Sequence, residues 1–148
     1  MHRYRHTQKA SGMLWVFGIA VAVVGGLATR GGEGSAILFV VAAILVATLF
    51  LFSSLTVEVT DAEVCLAFGV GVVTKRFQVD EIRDVRVVRN PWYYGWGIHM
   101  TPHGWLFNVA GSEAVEIAFD SGTKVRIGSD EPSRLMAAIR LAMAETSA

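Results

Sequence analysis

Two histidines four residues apart, His99 and His103, and a single thiol, Cys65, are the side chains best suited to metal or nucleophilic chemistry. Histidines at this spacing share one face of the helix in zinc-binding HExxH segments, but Pro102 and Gly104 exclude a continuous helix here. Neither histidine has a cysteine or carboxylate at ligand spacing, so no metal site is expected. His99 alternates with Ile98 and Met100 and reads as water-facing, while Cys65 between Val64 and Leu66 reads as a structural thiol. One cysteine forms no intrachain disulfide. No glycine-rich phosphate loop opens a helix, and no GxSxG elbow occurs. No catalytic residue and no cofactor are therefore assigned, and an enzyme using His99, His103 and Cys65 is the remote alternative.

Residues suited to binding are more numerous. Trp92, Tyr93, Tyr94 and Trp96 lie among Pro91, Gly95 and Gly97. Such rings can form a recognition surface, sit at headgroup depth beside a bilayer, or close a small core. Arg83, Arg86 and Arg89, with Lys75 and Arg76 upstream, make the densest basic cluster. On a strand, Arg83 and Arg89 share a face and Arg86 takes the other, and Asp80, Glu81 and Asp84 are interleaved. A solvated, salt-bridged face competes with contact to anionic headgroups or an acidic partner.

Two apolar runs, residues 11–29 and 34–57, contain no Asp, Glu, Lys, Arg or His. About 20 helical residues cross a hydrocarbon core of roughly 30 Å, so each run is long enough. The expected organisation is a basic cytoplasmic N-terminus (1–10), a transmembrane hairpin (11–55, spans about 12–29 and 35–54) and a globular domain (56–148). Arg3, Arg5 and Lys9 precede the first span, which places the N-terminus and the C-terminal domain in the cytoplasm by the positive-inside rule. A cleaved leader is the rival reading of the first run. Gly18, Ala22 and Gly26 recur every four residues and could pack a helix closely against another span or protomer. No ionisable residue lies within the spans to support a transport path. Residues 56–148 hold nine Lys/Arg against twelve Asp/Glu, which gives no footprint for nucleic acid.

Beyond Leu55 the hydrophobic period becomes two. About seven or eight short alternating segments, centred on Val57, Leu66, the 72–79 stretch, Val85, Ile98, Phe107, Ile117 and Val125, are separated by turn residues. Ser129 or Asp130 can then cap a helix whose Leu135, Met136, Ile139, Ala142 and Met143 fall on one face. The predicted fold is a membrane-anchored β + α chain: an antiparallel barrel or sandwich of about seven strands, capped by one C-terminal helix.

The stretches LTVEVT (55–60), VDEI (79–82), YGWGI (94–98), GSEAVEI (111–117) and DEP (130–132) resemble the bacterial pleckstrin-homology-like family, in particular members with two preceding transmembrane helices. The resemblance covers residues 55–145. It implies a non-catalytic module presenting a cytoplasmic binding or scaffolding surface to a membrane-protein partner or a further copy of itself. A lipid-headgroup-binding or membrane-sensing module is the alternative. Phosphoinositide-binding members carry a basic cluster around the first two strands, where this chain has Thr60-Asp61-Ala62-Glu63; no site of that kind is expected.

Overall fold

In the computed structural model, which describes residues 2–146, the chain begins with a strand, β1 (His2–Lys9). Two helices follow, α1 (Ser11–Ala28) and α2 (Ser35–Phe52). Eight further strands come next: β2 (Ser54–Thr60), β3 (Glu63–Phe68), β4 (Val73–Gln78), β5 (Ile82–Arg89), β6 (Gly97–Thr101), β7 (Gly104–Asn108), β8 (Glu113–Phe119) and β9 (Lys124–Gly128). Helix α3 (Pro132–Thr146) ends the fold.

The strands form two sheets, ordered β1-β2-β3-β4 and β5-β8-β9-β7-β6. Neighbours pair antiparallel except β7 and β9, which run parallel. Alternation dictates the core: Leu55, Val57 and Val59 of β2 and Val64, Leu66 and Phe68 of β3 face Val115, Ile117, Val125 and Ile127 of the other sheet. Leu135, Ile139 and Ala142 of α3 complete it, with Met136 and Met143 partly buried beside them. The alternating segments read from periodicity correspond to β2 to β9, so the described residues hold nine strands where about seven were expected.

The ninth strand differs from the expected organisation: residues 2–9 are not a separate tail but the edge strand of the first sheet. β1 pairs with β2 over the register Lys9↔Ser54 to Tyr4↔Val59. Tyr4, His6 and Gln8 point inward and Arg5, Thr7 and Lys9 outward. His6 Nε2 lies 2.7 Å from Asp130 Oδ1 at the start of α3, and Gln8 Nε2 donates to the Ala110 carbonyl. Arg3 is ion-paired with Asp61 and Glu145. The domain is thus assembled from chain on both sides of the helical hairpin, and both ends of the hairpin lie in one sheet.

Each helix of the hairpin has 18 residues, about 27 Å of rise, and is apolar enough to cross a membrane. Their bases are seated in the domain. Ala10 N–H donates to the Ser53 carbonyl, Met13 is buried in the core, and the Phe52 and Phe68 rings meet at 5.6 Å. At the β3–β4 turn, Gly69 has φ of +52°, and an added Cβ would lie 2.1 Å from the Phe50 carbonyl oxygen and 2.6 Å from that of Leu51. Only glycine allows the turn to touch the last turn of α2.

Two outcomes are expected. Replacing residues 11–52 by Asn-Gly, a two-residue hairpin turn between Ala10 and Ser53, gives a domain with a cooperative thermal transition by circular dichroism. The 56–148 fragment, which lacks β1, gives none; equal melting of the two would contradict this assembly. Gly69→Ala destabilises the full chain in detergent by at least about 2 kcal/mol, because the backbone clash adds to the left-handed penalty. Gly71→Ala, with open space around it, costs about 1–2 kcal/mol, the left-handed penalty alone.

Candidate functional site

Strands β5 and β6 occupy opposite edges of the five-stranded sheet, so the chain between them crosses three intervening strands. Four interstrand spacings amount to roughly 19 Å, and seven residues reach about 23 Å when extended. Residues 90–96 therefore form a taut strap, with a single 3-10 turn at Trp92–Tyr94. Gly95, at φ +64° and ψ −156°, supplies a backbone geometry closed to other residues.

Two buried asparagines pin the strap. Asn90 N–H donates to the Ser112 carbonyl at 2.7 Å, and its Oδ1 accepts from Arg126 Nη1 at 2.8 Å. Asn108 Nδ2 donates to the carbonyls of Gly95 and Gly111 at 3.2 and 3.1 Å. The Tyr94 hydroxyl lies 3.0 Å from His103 Nδ1 in the β6–β7 turn. Held this way, the strap lies over the outer face of the sheet.

An ionic row lies on that same face. The registers Arg86↔Glu116 and Glu116↔Arg126 set three side chains abreast. Glu116, only 2% exposed, accepts from Arg86 at 2.5 and 3.0 Å and from Arg126 Nε at 2.8 Å, with Lys124 Nζ at 3.7 Å. Burial raises the Glu116 pKa, but hydrogen bonds and charge from Arg126 and Arg86 outweigh it and hold the carboxyl below its ordinary value. Arg126 in turn orients Asn90, so the carboxylate supports the strap through one intermediary.

The aromatic residues are brought together and stand out. Trp92 is 88% exposed and Tyr93 67%, their rings edge to face at 6.0 Å, with Tyr94 next at 5.3 Å from Tyr93. Trp96, 41% exposed, rests on the first turn of α1: a Cβ added at Gly12 would lie 3.3 Å from its ring. A cleft of about 530 Å³ runs between Trp92, Trp96, Asn90, Asn108 and Ser112. On the other flank of the hairpin base, Val70 and Val72 of the β3–β4 turn are also exposed. Exposed apolar side chains thus surround the point where the two helices leave the domain.

The arginines do not converge. Arg86 is committed to Glu116, Arg89 Nε reaches Ser112 Oγ at 3.3 Å, and Arg83 falls in a register irregularity at the far end of β5. Lys75 and Arg76 belong to β4 in the other sheet, where Arg76 lies 3.6 Å from Glu63. His103 is engaged with Tyr94, His99 is half-buried on β6, and Cys65 is half-buried on β3 of the opposite sheet. Among the described residues no group of three or more His, Cys, Asp or Glu side chains could hold a metal ion. Gly18 and Gly26 face open space, so α2 does not fill the small-residue stripe of α1 that also holds Ala22. Sequence reasoning passed over Asn90, Asn108, Glu116 and Arg126: alternating Glu and Arg on strands look solvated, and nothing local marks the segment that covers them.

Compared with protein-family models, with curated proteins and with solved structures, the chain has no match.

Glu116→Gln leaves Arg126 buried without a counter-charge, and is expected to destabilise the fold by roughly 3 kcal/mol or more. Because the folded-state pKa is depressed, the carboxylate's contribution is full above the unfolded value near 4.5 and is lost as pH falls through the folded value. Thermal melts between pH 7 and 3 should show a steeper acid decline for wild type than for Glu116→Gln. Parallel declines would count against this role.

Proposed function

We propose that this chain is a membrane-anchored, non-catalytic β-sandwich module that engages the lipid headgroup layer through its aromatic strap. One observation carries the reading: Trp96 rests on the first turn of α1 while Trp92 and Tyr93 project beside it. Amphipathic rings next to the emergence of two apolar helices have the composition of an interfacial aromatic belt. The hairpin supplies the anchor, since α2 buries no residue within the chain and α1 buries only Met13 and Ala28. Hydrocarbon is the solvent that suits such helices. Arg3, Arg5 and Lys9 favour the cytoplasmic side for β1, and the sheet carries the rest of the domain with it.

The reading is compatible with a bacterial pleckstrin-homology-like module at the level of two sheets and a C-terminal helix. The parallel β7–β9 pair and the ninth strand are features of this chain beyond what that resemblance implies. A second reading, self-association or docking on another membrane protein, is favoured by the uncovered stripe of Gly18, Ala22 and Gly26. It is compatible with the first, because the stripe lies within a helix and the strap lies at its base.

The test uses the full chain reconstituted in phosphatidylglycerol–phosphatidylethanolamine vesicles, with Trp15, Trp92, Trp96 or Trp105 kept one at a time and the others changed to Phe. A headgroup-level spin label is expected to quench Trp92 and Trp96 at least threefold more strongly than Trp105. Quenching of Trp92 and Trp96 only by an aqueous quencher would remove the headgroup reading and leave the protein-partner one.

A further inference from the structure

A two-sheet sandwich has two lateral openings, and here only one is closed. Helix α3 packs against β1 and β2 of the first sheet and β5 and β8 of the second. The opposite corner lies between β4, which pairs only with β3, and β6 with its neighbour β7. No described element covers it. Instead of a polar rim, the corner holds an apolar seam of about 280 Å³ lined by Phe68, Phe77, Ile98, Trp105, Phe107 and Val125. Thr74 and Lys75 also line it, and the Lys75 stem can lie along it while the ammonium stays in water.

The seam joins the base of the hairpin. Phe68 touches Phe52, the last residue of α2, on one side and Phe107 on the other, at 5.6 and 6.3 Å. Phe77 continues the file from Phe107 to Phe119, at 6.1 and 5.5 Å. Val73 and Ile98, at the starts of β4 and β6, flank the mouth at the hairpin end. Val70 and Val72 stand exposed just outside it. From Val73 the seam runs away from the hairpin past Phe77, four residues or ~13 Å along the strand.

The occupant must be small in section and mainly apolar, because the seam holds about 280 Å³ and six of its nine lining side chains are Phe, Val or Ile. It must also be present at the hairpin end. Strand addition fits less well, since Lys75 and Arg76 place charge along the β4 edge in the way that protects edges from pairing. We propose that the seam takes one hydrocarbon chain of a membrane lipid, drawn from the bilayer past Val73 and Ile98 to lie against Phe77 and Trp105. This inference rests on the reading that the hairpin spans a bilayer.

The experiment uses the full chain in phosphatidylglycerol–phosphatidylethanolamine vesicles that include a phosphatidylcholine with a diazirine at the end of one acyl chain. After irradiation, labelled peptides are located by mass spectrometry. Label is expected on α1 and α2 and also on the segments bearing Phe77, Trp105 and Val125. Lys75→Trp, which plugs the seam from its rim, should lower the seam label at least fivefold and leave the hairpin label unchanged. Lys75→Met, slender and apolar, should retain both. Label on the hairpin without the seam would overturn this proposal alone, as would seam label indifferent to Lys75→Trp. No label on the hairpin would overturn the membrane reading and the proposal with it. A crosslink from the seam to a second polypeptide would assign it to a protein and overturn the proposal.

Discussion

The pairing of β1 with β2 is the constraint on which the rest depends. These strands meet through a register that begins where the helices end, at Lys9↔Ser54, and the Ala10 N–H bond to the Ser53 carbonyl closes the gap between them. Nothing acts as a linker. The direction in which the hairpin leaves the sheet is fixed by backbone hydrogen bonds and by Met13 and Phe52 set into the apolar interior. The position of the helix bases beside the β3–β4 turn follows from it.

The aromatic strap shows how such a relation is enforced at a distance. Of its four rings, Tyr94 tethers it to His103 and Trp96 rests on α1, while Trp92 and Tyr93 stand exposed. The remaining fixation falls to Asn90 and Asn108, both buried, and behind Asn90 to Arg126 and Glu116. A carboxylate between two guanidinium groups is costly to bury and gains little net stability. What it supplies is position: the amide of Asn90 has one orientation because Arg126 has one orientation. The exposed tryptophans can then stand beside α1 without being packed into a core, which leaves their faces available.

Periodicity made most of this fold legible. Apart from β5, whose register irregularity sets the buried Ile82 and Val85 three residues apart, the strands from β2 to β9 alternate apolar and polar residues, α3 keeps a helical stripe, and the uncharged runs announce the hairpin. β1 escaped for a physical reason. Its inward residues are Tyr4, His6 and Gln8, apolar bodies with polar tips, so no hydropathy contrast separates its faces. It belongs to the sheet by virtue of a partner more than forty positions away. The aromatic residues were legible as a type, but their placement depends on β5 and β6 lying at opposite edges, a property of sheet order that local sequence does not contain. Glu116 was invisible because a covered sheet face and a wet one have the same alternation.

The split construction also governs the order of events during synthesis. β1 is made before its partner β2, which follows only after both helices, and the Asp130 that meets His6 comes 124 residues after it. Until β2 is made β1 is a strand without a sheet, and Arg3, Arg5, His6 and Lys9 are side chains that keep an unpaired edge hydrated. Closure of the hairpin brings the two strands together, converting a long loop-closure cost into a local one. The two apolar helices that separate β1 from β2 in sequence are thus also the clamp that brings them together.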